Sequence, residues 1–486
     1  MDIPTFAIIG HPNEGKTTLI ATLAEEDSAK ISPIPGTTTK SAPFKVKIDG
    51  KAVLQFVDTP GFQRPKATLE WFKTHEAGVV SLAKAFLAAN RDSAFDHERE
   101  IMKPIAEGAA VIYVIDGSRP VRQVDREEME ILCLVNQPRI AVINSKQGSD
   151  KYTAKWKEEL KAFGPVRVFN AHQATFRDRM DLLRVIRGVI QDWEGVLDQA
   201  IAAFQDDWEK RIRDSAELVC DLLKTTMSRC EVESLPAGAN KKKARQRAEE
   251  RLKIAIREDE EKFRVKVRDH FKHRRITGLA HDSLLVEELF SEEVVRVFGL
   301  SKHQLAVTSA AICAMFAAAG DLIAHGTSLG LCAAIGGGVG YVVGYLGANR
   351  LVSVEMPTRL RPFLPNHGRC VKAKPQPLSN LPWILLGRAM EFFHWASTWP
   401  HGRRDEPVKT EKEGEKLPSW HVKNWSEKQR EAAADYIALV LASKEPGMLD
   451  KILEFFRKKK KDPETIEANM EEMLIKSMKE MTGFQR

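Results

Sequence analysis

The sequence predicts a doubly wound α/β domain at the N-terminal end, followed by a mostly α-helical C-terminal region. Three observations predict it. A β-branched and aromatic run ends in a glycine-bounded GxxxxGKT segment; strand-like apolar stretches then alternate with helical spacing to about residue 195; beyond that point the alternation stops. At 486 residues the chain is too long for one compact core, and 43% hydrophobic with 29% charged residues describes a folded polypeptide.

Thr5 to Ile9 has the pattern of a buried strand, and Gly10-His11-Pro12-Asn13-Glu14-Gly15-Lys16-Thr17 follows it directly. Thr18 to Leu23 then runs at helical spacing. Strand, glycine loop and helix form the setting in which a phosphate is cradled. Gly10 and Gly15 let the backbone curl until its N–H groups point at phosphate oxygens, and the helix N-terminus adds partial positive charge. Lys16 is placed to reach the β- and γ-phosphates, with the Thr17 hydroxyl as a magnesium ligand. The plain alternative, a glycine turn matching by accident, does not account for the flanking strand and helix.

Ser32 to Thr39 is a polar, turn-rich loop. In a nucleotide switch such a loop is ordered by a threonine hydroxyl on magnesium. Residues 43–48 and 52–57 read as strands joined at Asp49-Gly50, a tight-hairpin signal. An antiparallel pair here separates the fold from all-parallel P-loop ATPases. The second strand ends in Asp58-Thr59-Pro60-Gly61, a DxxG turn with an acid for the magnesium shell and a glycine N–H for the γ-phosphate. Strands over 109–115, 139–143 and 166–169 alternate with helices near 123–136, 153–163 and 179–193, giving a sheet of about six strands. Residues 63–107 form a longer insertion than a switch helix needs, with helical stretches at 69–72 and 79–89; extra packing is its plain reading, and because it follows the DxxG loop directly it is also where nucleotide state could be transmitted.

The segments Gly10–Thr17, Pro35-Gly36-Thr37-Thr38 and Asp58–Gly61 together resemble the TRAFAC class of GTPases, in particular the Era, TrmE and Der-like branch. The whole layout resembles an uncharacterised bacterial family in which such a domain is fused to a helical domain of unknown function. The resemblance implies a Ras-like P-loop G domain over residues 1–195 that binds GTP or GDP with Mg2+. It implies phosphate and loop contacts from Gly10, Asn13, Glu14, Gly15, Lys16, Thr17 and Thr18. It places Thr17, Thr38 and Asp58 on the metal, the last through water, with Lys16, Thr38 and Gly61 serving hydrolysis. Asn13 sits where potassium-activated members carry a K+-site asparagine. Phe62 stands where Ras-type enzymes have a catalytic glutamine, so hydrolysis is expected to be slow until a partner or dimer completes the site. Base recognition departs from the class. The NKxD motif is replaced by Asn144-Ser145-Lys146-Gln147, and Gln147 cannot offer guanine a bidentate carboxylate. Asp150 lies three residues further on. Asn144 and Lys146 keep their places, but guanine preference follows from the resemblance and not from these residues.

Beyond the first domain, residues 196–300 read as a charged helical hairpin, 301–352 as an Ala/Gly-rich apolar hairpin, and 353–486 as a further helical region with a charged linker near 403–417. The basic runs Lys241–Lys243 and Lys272–Arg275 lack interleaved aromatic residues, so a solvated helix face is favoured over an RNA surface. Residues 304–349 hold Asp321 and His325 but no Lys or Arg, and Gly336, Gly340, Gly344 and Ala348 share one helix face. Membrane contact and a buried or self-assembling hairpin remain alternative readings of this stretch. Phe455-Phe456 beside a basic run suits either anionic lipid or a solvated helix end. The net charge of +7 weakly favours acidic partners, RNA or lipid, without choosing between them. Six scattered cysteines without CxxC spacing fit a reducing compartment, and the start of the chain lacks signal-peptide character, so a cytoplasmic location is expected. The function expected is a GTP-binding protein that switches a helical effector domain. A nucleotide-controlled membrane scaffold is the alternative, and an RNA-associated role a third reading.

Overall fold

The computed structural model describes residues 3–25, 40–75, 81–91, 95–144, 151–235, 238–273, 291–321, 352–354, 369–375, 379–401, 421–443, 456 and 462–484. Its N-terminal part is built on six strands: Thr5–Ile9 (β1), Ala42–Ile48 (β2), Lys51–Asp58 (β3), Ala110–Asp116 (β4), Arg139–Asn144 (β5) and Val166–Phe169 (β6). They lie in the order β2-β3-β1-β4-β5-β6, and only the β2–β3 edge pair is antiparallel. The turn between β2 and β3 has positive φ at both Asp49 (48°) and Gly50 (78°), the geometry whose twist matches the flanking strands.

Alternate residues of β1 feed different layers, as the two-residue strand period requires. Phe6 and Ile8 join a core with Leu19, Ile20 and Leu183, whereas Ala7 and Ile9 join one with Phe72, Phe86, Ile101 and Leu132. The first layer holds the helices Lys16–Ala24 (α1) and Phe176–Val189 (α7). The second holds Pro65–Thr74 (α2), Leu82–Ala89 (α3), Asp96–Ala106 (α4), Gln123–Leu134 (α5) and Thr153–Glu159 (α6). Strands covered on both faces explain the near-continuous apolar runs of β1, β4 and β5.

The first core does not end with the sheet. It continues through α7 into Glu194–Met227 (α8), Lys241–His270 (α9), Glu292–Phe298 (α10), Lys302–Asp321 (α11), Leu381–Thr398 (α12), Glu427–Ala442 (α13) and Pro463–Thr482 (α14). Helix α12 is buried nearly all round and packs on α8, α9, α10 and α14, so it is the central helix of this half. Inside it, Arg388 donates from Nε to Glu260 Oε1 at 2.6 Å, and Arg264 donates to the same oxygen at 2.8 Å.

Three expectations are corrected here. The strand pattern does not stop near 195: Glu231–Leu235 (β7), Val352–Val354 (β8) and Arg369–Pro375 (β9) form an antiparallel sheet in the order β7-β9-β8. These strands are short, β8 has only three residues, and β7 and β9 carry charges and lie more than a hundred residues apart, which hides their alternation. The Lys272-His273 pair is no solvated face, because Lys272 pairs with Glu25 and His273 is buried with Nε2 at 2.7 Å from the Ala396 carbonyl. Phe456 is fully buried and cannot meet lipid. Most of 304–349 and the 403–417 linker lie outside the described residues. Among the described residues no helix is long and apolar enough to cross a membrane.

Candidate functional site

The loop between β1 and α1 is shaped by what stands behind it. A Cβ on Gly10 would lie 2.2 Å from the Val114 carbonyl oxygen, so only glycine lets the chain leave β1 past β4. The loop then turns through Asn13, exposed and left-handed at φ 68°, and enters α1 at Gly15. The Lys16 ammonium folds back over this loop, donating to the carbonyls of Gly10 at 2.8 Å and His11 at 3.1 Å. Thr18 is buried on the next position of α1.

At the end of β3, Asp58 is buried and its Oδ2 accepts from the Thr17 hydroxyl at 2.8 Å. The parallel pairing of β1 with β3 places Ile8 opposite Asp58, and Thr59 locks this junction by donating to the Ile8 carbonyl at 2.7 Å. A hydroxyl and a carboxylate in contact at a phosphate loop are the hard oxygen donors that Mg2+ selects, so the residues present fit the ion. Gly61 lies against the same loop: a Cβ there would fall 2.4 Å from Pro12 Cδ. Phe62 is only 2% exposed and packs with the layer of Leu69, Phe72 and Ile101, away from solvent.

Asn144 closes the site from the far side. Its Nδ2 donates to the Glu14 carbonyl at 3.0 Å and its Oδ1 accepts from Ala171 N at 3.2 Å. One side chain thus joins the phosphate loop, the end of β5 and the loop after β6. The structure brings together Gly10, Asn13, Glu14, Gly15, Lys16, Thr17, Thr18, Asp58, Gly61 and Asn144. Thr38, Lys146, Gln147 and Asp150 lie outside the described residues.

Around the loop, Tyr113, Arg119, Asp125, Glu128 and Trp156 carried no motif signal. The Glu14 carboxylate is buried, accepts from His11 N at 3.3 Å and forms an ion pair with Arg119. Arg119 also grips Asp125 through both guanidinium nitrogens, at 2.7 and 2.8 Å, and lies over the Trp156 ring. Burial pushes the Asp125 carboxyl up, but hydrogen bonds from Arg119 and Arg122 outweigh it and hold it below the usual range. One helical turn on, Glu128 accepts from the Tyr113 hydroxyl at 2.9 Å and stands 3.4 Å from His11 Nδ1. Helix α5 therefore braces the phosphate loop at two points. The available signal was the i, i+3 spacing of Asp125 and Glu128, which is common on any exposed helix.

A P-loop between β1 and α1, a DxxG turn laid against it, and one antiparallel edge pair in this strand order define a Ras-like G domain. Sequence comparison agrees: residues 5–145 match the family described as 50S ribosome-binding GTPase. Residues 157–478 match the family described as a domain of unknown function, DUF3482, and the chain belongs to that family.

Among curated proteins, GTPase Der of Rhodopirellula baltica is 27% identical over 160 residues, which are 32% of this chain and 30% of that protein. The tRNA modification GTPase MnmE of Pseudothermotoga lettingae is 26% identical over 221 residues, 43% of this chain and 42% of the relative. GTPase Era of Crocosphaera subtropica is 32% identical over 151 residues, 31% and 39% of the two chains. The chain spans less than half the length of each of these relatives. A solved structure of Era with MgGDPNP and a segment of 16S ribosomal RNA is similar at 18% identity and a TM-score of 0.28, covering 48% of this chain and 72% of that one. The N-terminal domain is a GTP-binding G domain of the Era, Der and MnmE type.

Proposed function

We propose that this chain is a magnesium-dependent GTPase of low intrinsic rate whose nucleotide state is passed to its helical half. The observation that carries the reading is the Thr17–Asp58 contact at 2.8 Å beside a loop over which Lys16 is folded. In this reading Lys16 moves from the loop carbonyls onto the β- and γ-phosphates, and the N–H groups of the loop and of Gly61 face phosphate oxygens. Thr17, with Asp58 through water and Thr38, would hold Mg2+, which supplies neutralisation of phosphate charge. Asn13, exposed at the loop's turn, is the candidate for K+. The low rate follows from Phe62, whose buried apolar ring orients no water. Transmission to the helical half is supported by the core shared across α7 and α8.

The test is binding of labelled GTP, GDP and ATP to the full chain with magnesium, in potassium and then in sodium, followed by turnover. GTP and GDP are expected to bind in preference to ATP, with hydrolysis higher in potassium. Lys16→Ala and Thr17→Ala are expected to abolish binding or turnover. Equal binding of ATP would remove the guanine assignment, and unchanged turnover in the Lys16→Ala protein would sink the reading.

A further inference from the structure

Two carboxylates of α4, in the insertion between β3 and β4, grip the chain beside the nucleotide loops. Glu98 is fully buried, and its Oε1 accepts the backbone N–H of Gln63 at 2.8 Å and of Arg64 at 2.7 Å. These amides come two and three residues after Gly61. Its Oε2 is also buried, yet accepts no hydrogen bond among the described residues, and no cation pairs with Glu98 there. Two residues on, Glu100 holds Ser41: Oε2 accepts from Ser41 N at 3.0 Å and from its hydroxyl at 2.9 Å, while the Glu100 carbonyl accepts from that hydroxyl at 2.8 Å. Ser41 stands three residues after Thr38. A single helical turn of α4 thus fastens the chain next to both segments that a γ-phosphate would order.

A buried carboxylate satisfied only by backbone amides is costly to desolvate, so packing economy does not explain it. An apolar residue at this position would fill space without holding the chain after DxxG. A carboxylate fixes two successive amides in direction, and so fixes the peptide that leads back to Gly61. Phe62, between them, is locked in the core and leaves the backbone as the part able to respond.

We propose that Glu98 is the positioning residue of the hydrolytic site. It holds the Phe62–Arg64 backbone so that the Gly61 N–H faces the γ-phosphate, and its unfilled oxygen receives one more donor, an amide or a water, when the segment tightens on GTP. The proposal rests on the GTPase reading above. It assigns to the insertion a function that its helical pattern alone does not suggest.

The experiment compares full-length wild type, Glu98→Gln and Glu98→Ala for labelled GTP and GDP affinity, single-turnover GTP hydrolysis with magnesium, and thermal midpoint. Glutamine keeps an acceptor for the two amides but replaces the second oxygen with a donor. Its nucleotide affinity is expected to stay near wild type while the hydrolysis rate falls on the order of tenfold, and alanine is expected to lower the rate further. A Glu98→Gln protein that folds, binds GTP and hydrolyses it at the wild-type rate overturns the proposal, even if alanine lowers the midpoint. If Glu98→Ala does not fold, the glutamine variant decides alone. A wild type that binds no guanine nucleotide overturns the underlying reading, and this proposal with it, so the two failures are distinct.

Discussion

Helix α1 is held at both ends by a buried carboxylate, but only one of the two reaches the helical half of the molecule. At the phosphate end, Glu14 pairs with Arg119, which is itself tied to Asp125; all three lie in the G domain. At the other end, Glu25 caps α1 in the left-handed region at φ 49°. It accepts from Arg179 of α7 at 2.7 Å, from Arg211 of α8 at 3.2 and 2.7 Å, and from Lys272, just past α9, at 3.1 Å. Lys272 is also left-handed, at φ 60°, so two non-glycine residues adopt a disfavoured backbone to meet. Beside them Phe176 stacks on Trp208 at 4.4 Å, and Trp208 meets Phe271 edge-on. The phosphate end is thus self-contained, whereas the far end is a joint to the helical half, placed where the chain departs toward Thr38.

The largest effect should come from the joint. Removing Glu25 strands two buried guanidinium groups, each 7% exposed, with Asp207 left as the Arg211 ion-pair partner among the described residues. Breaking such a pair from one side costs about 3–5 kcal/mol, and Glu25→Ala is expected to lose that much in urea unfolding. Glu14→Ala leaves Arg119 bidentate on Asp125, so its cost should be smaller, about 1–3 kcal/mol. If Glu14→Ala proves the more damaging, the two ends do not differ as described.

Acid sharpens the comparison next. Burial pushes the Glu25 carboxyl up, but the charges of Arg211, Arg179 and Lys272 outweigh that and hold it well below the usual carboxylate range. A folded-state value below the unfolded one gives stability that is complete above the unfolded carboxylate range and is lost as pH falls through the folded value. Wild type should therefore keep losing stability well below about pH 4. Glu25→Gln should be less stable throughout the neutral range and show a shallower acid limb. Parallel limbs for the two proteins would mean that Glu25 does not titrate with folding.

How much of this was readable follows from distance along the chain. The β1–loop–α1 unit, the Asp49-Gly50 hairpin and β6 were legible because each is encoded within a dozen residues by period, turn chemistry or motif. Asn144 was legible as a motif residue, although its bonds to Glu14 and Ala171 were not. The Glu25 partners lie 154, 186 and 247 residues away, and no local pattern announces such a meeting. Glu98 carried no signal in the sequence reading; it lies in the first turn of α4, where an acid is favoured on any helix by the dipole. The reading of the insertion, as extra packing or as a place where nucleotide state could be transmitted, therefore named no hold on Gln63 and Arg64. The small β7–β9 sheet escaped because β9 is separated from β7 by more than a hundred residues.

The smallest predicted effect is a control for the largest. Arg126 also forks a carboxylate, joining α5 to α6: it donates side-on to Glu159 from Nε at 3.0 Å and Nη2 at 2.8 Å, where Arg211 meets Glu25 end-on through Nη1 and Nη2. The Arg126 side chain is 44% exposed and Glu159 26%, so water already solvates both groups and salt screens them. Glu159→Gln should leave the unfolding midpoint within experimental error of wild type at moderate ionic strength. A loss approaching that of Glu25→Ala would show that fork geometry, and not exclusion of water, sets the strength of these pairs. A null result, beside a large effect at Glu25, would assign the difference to burial at the joint between the G domain and the helices.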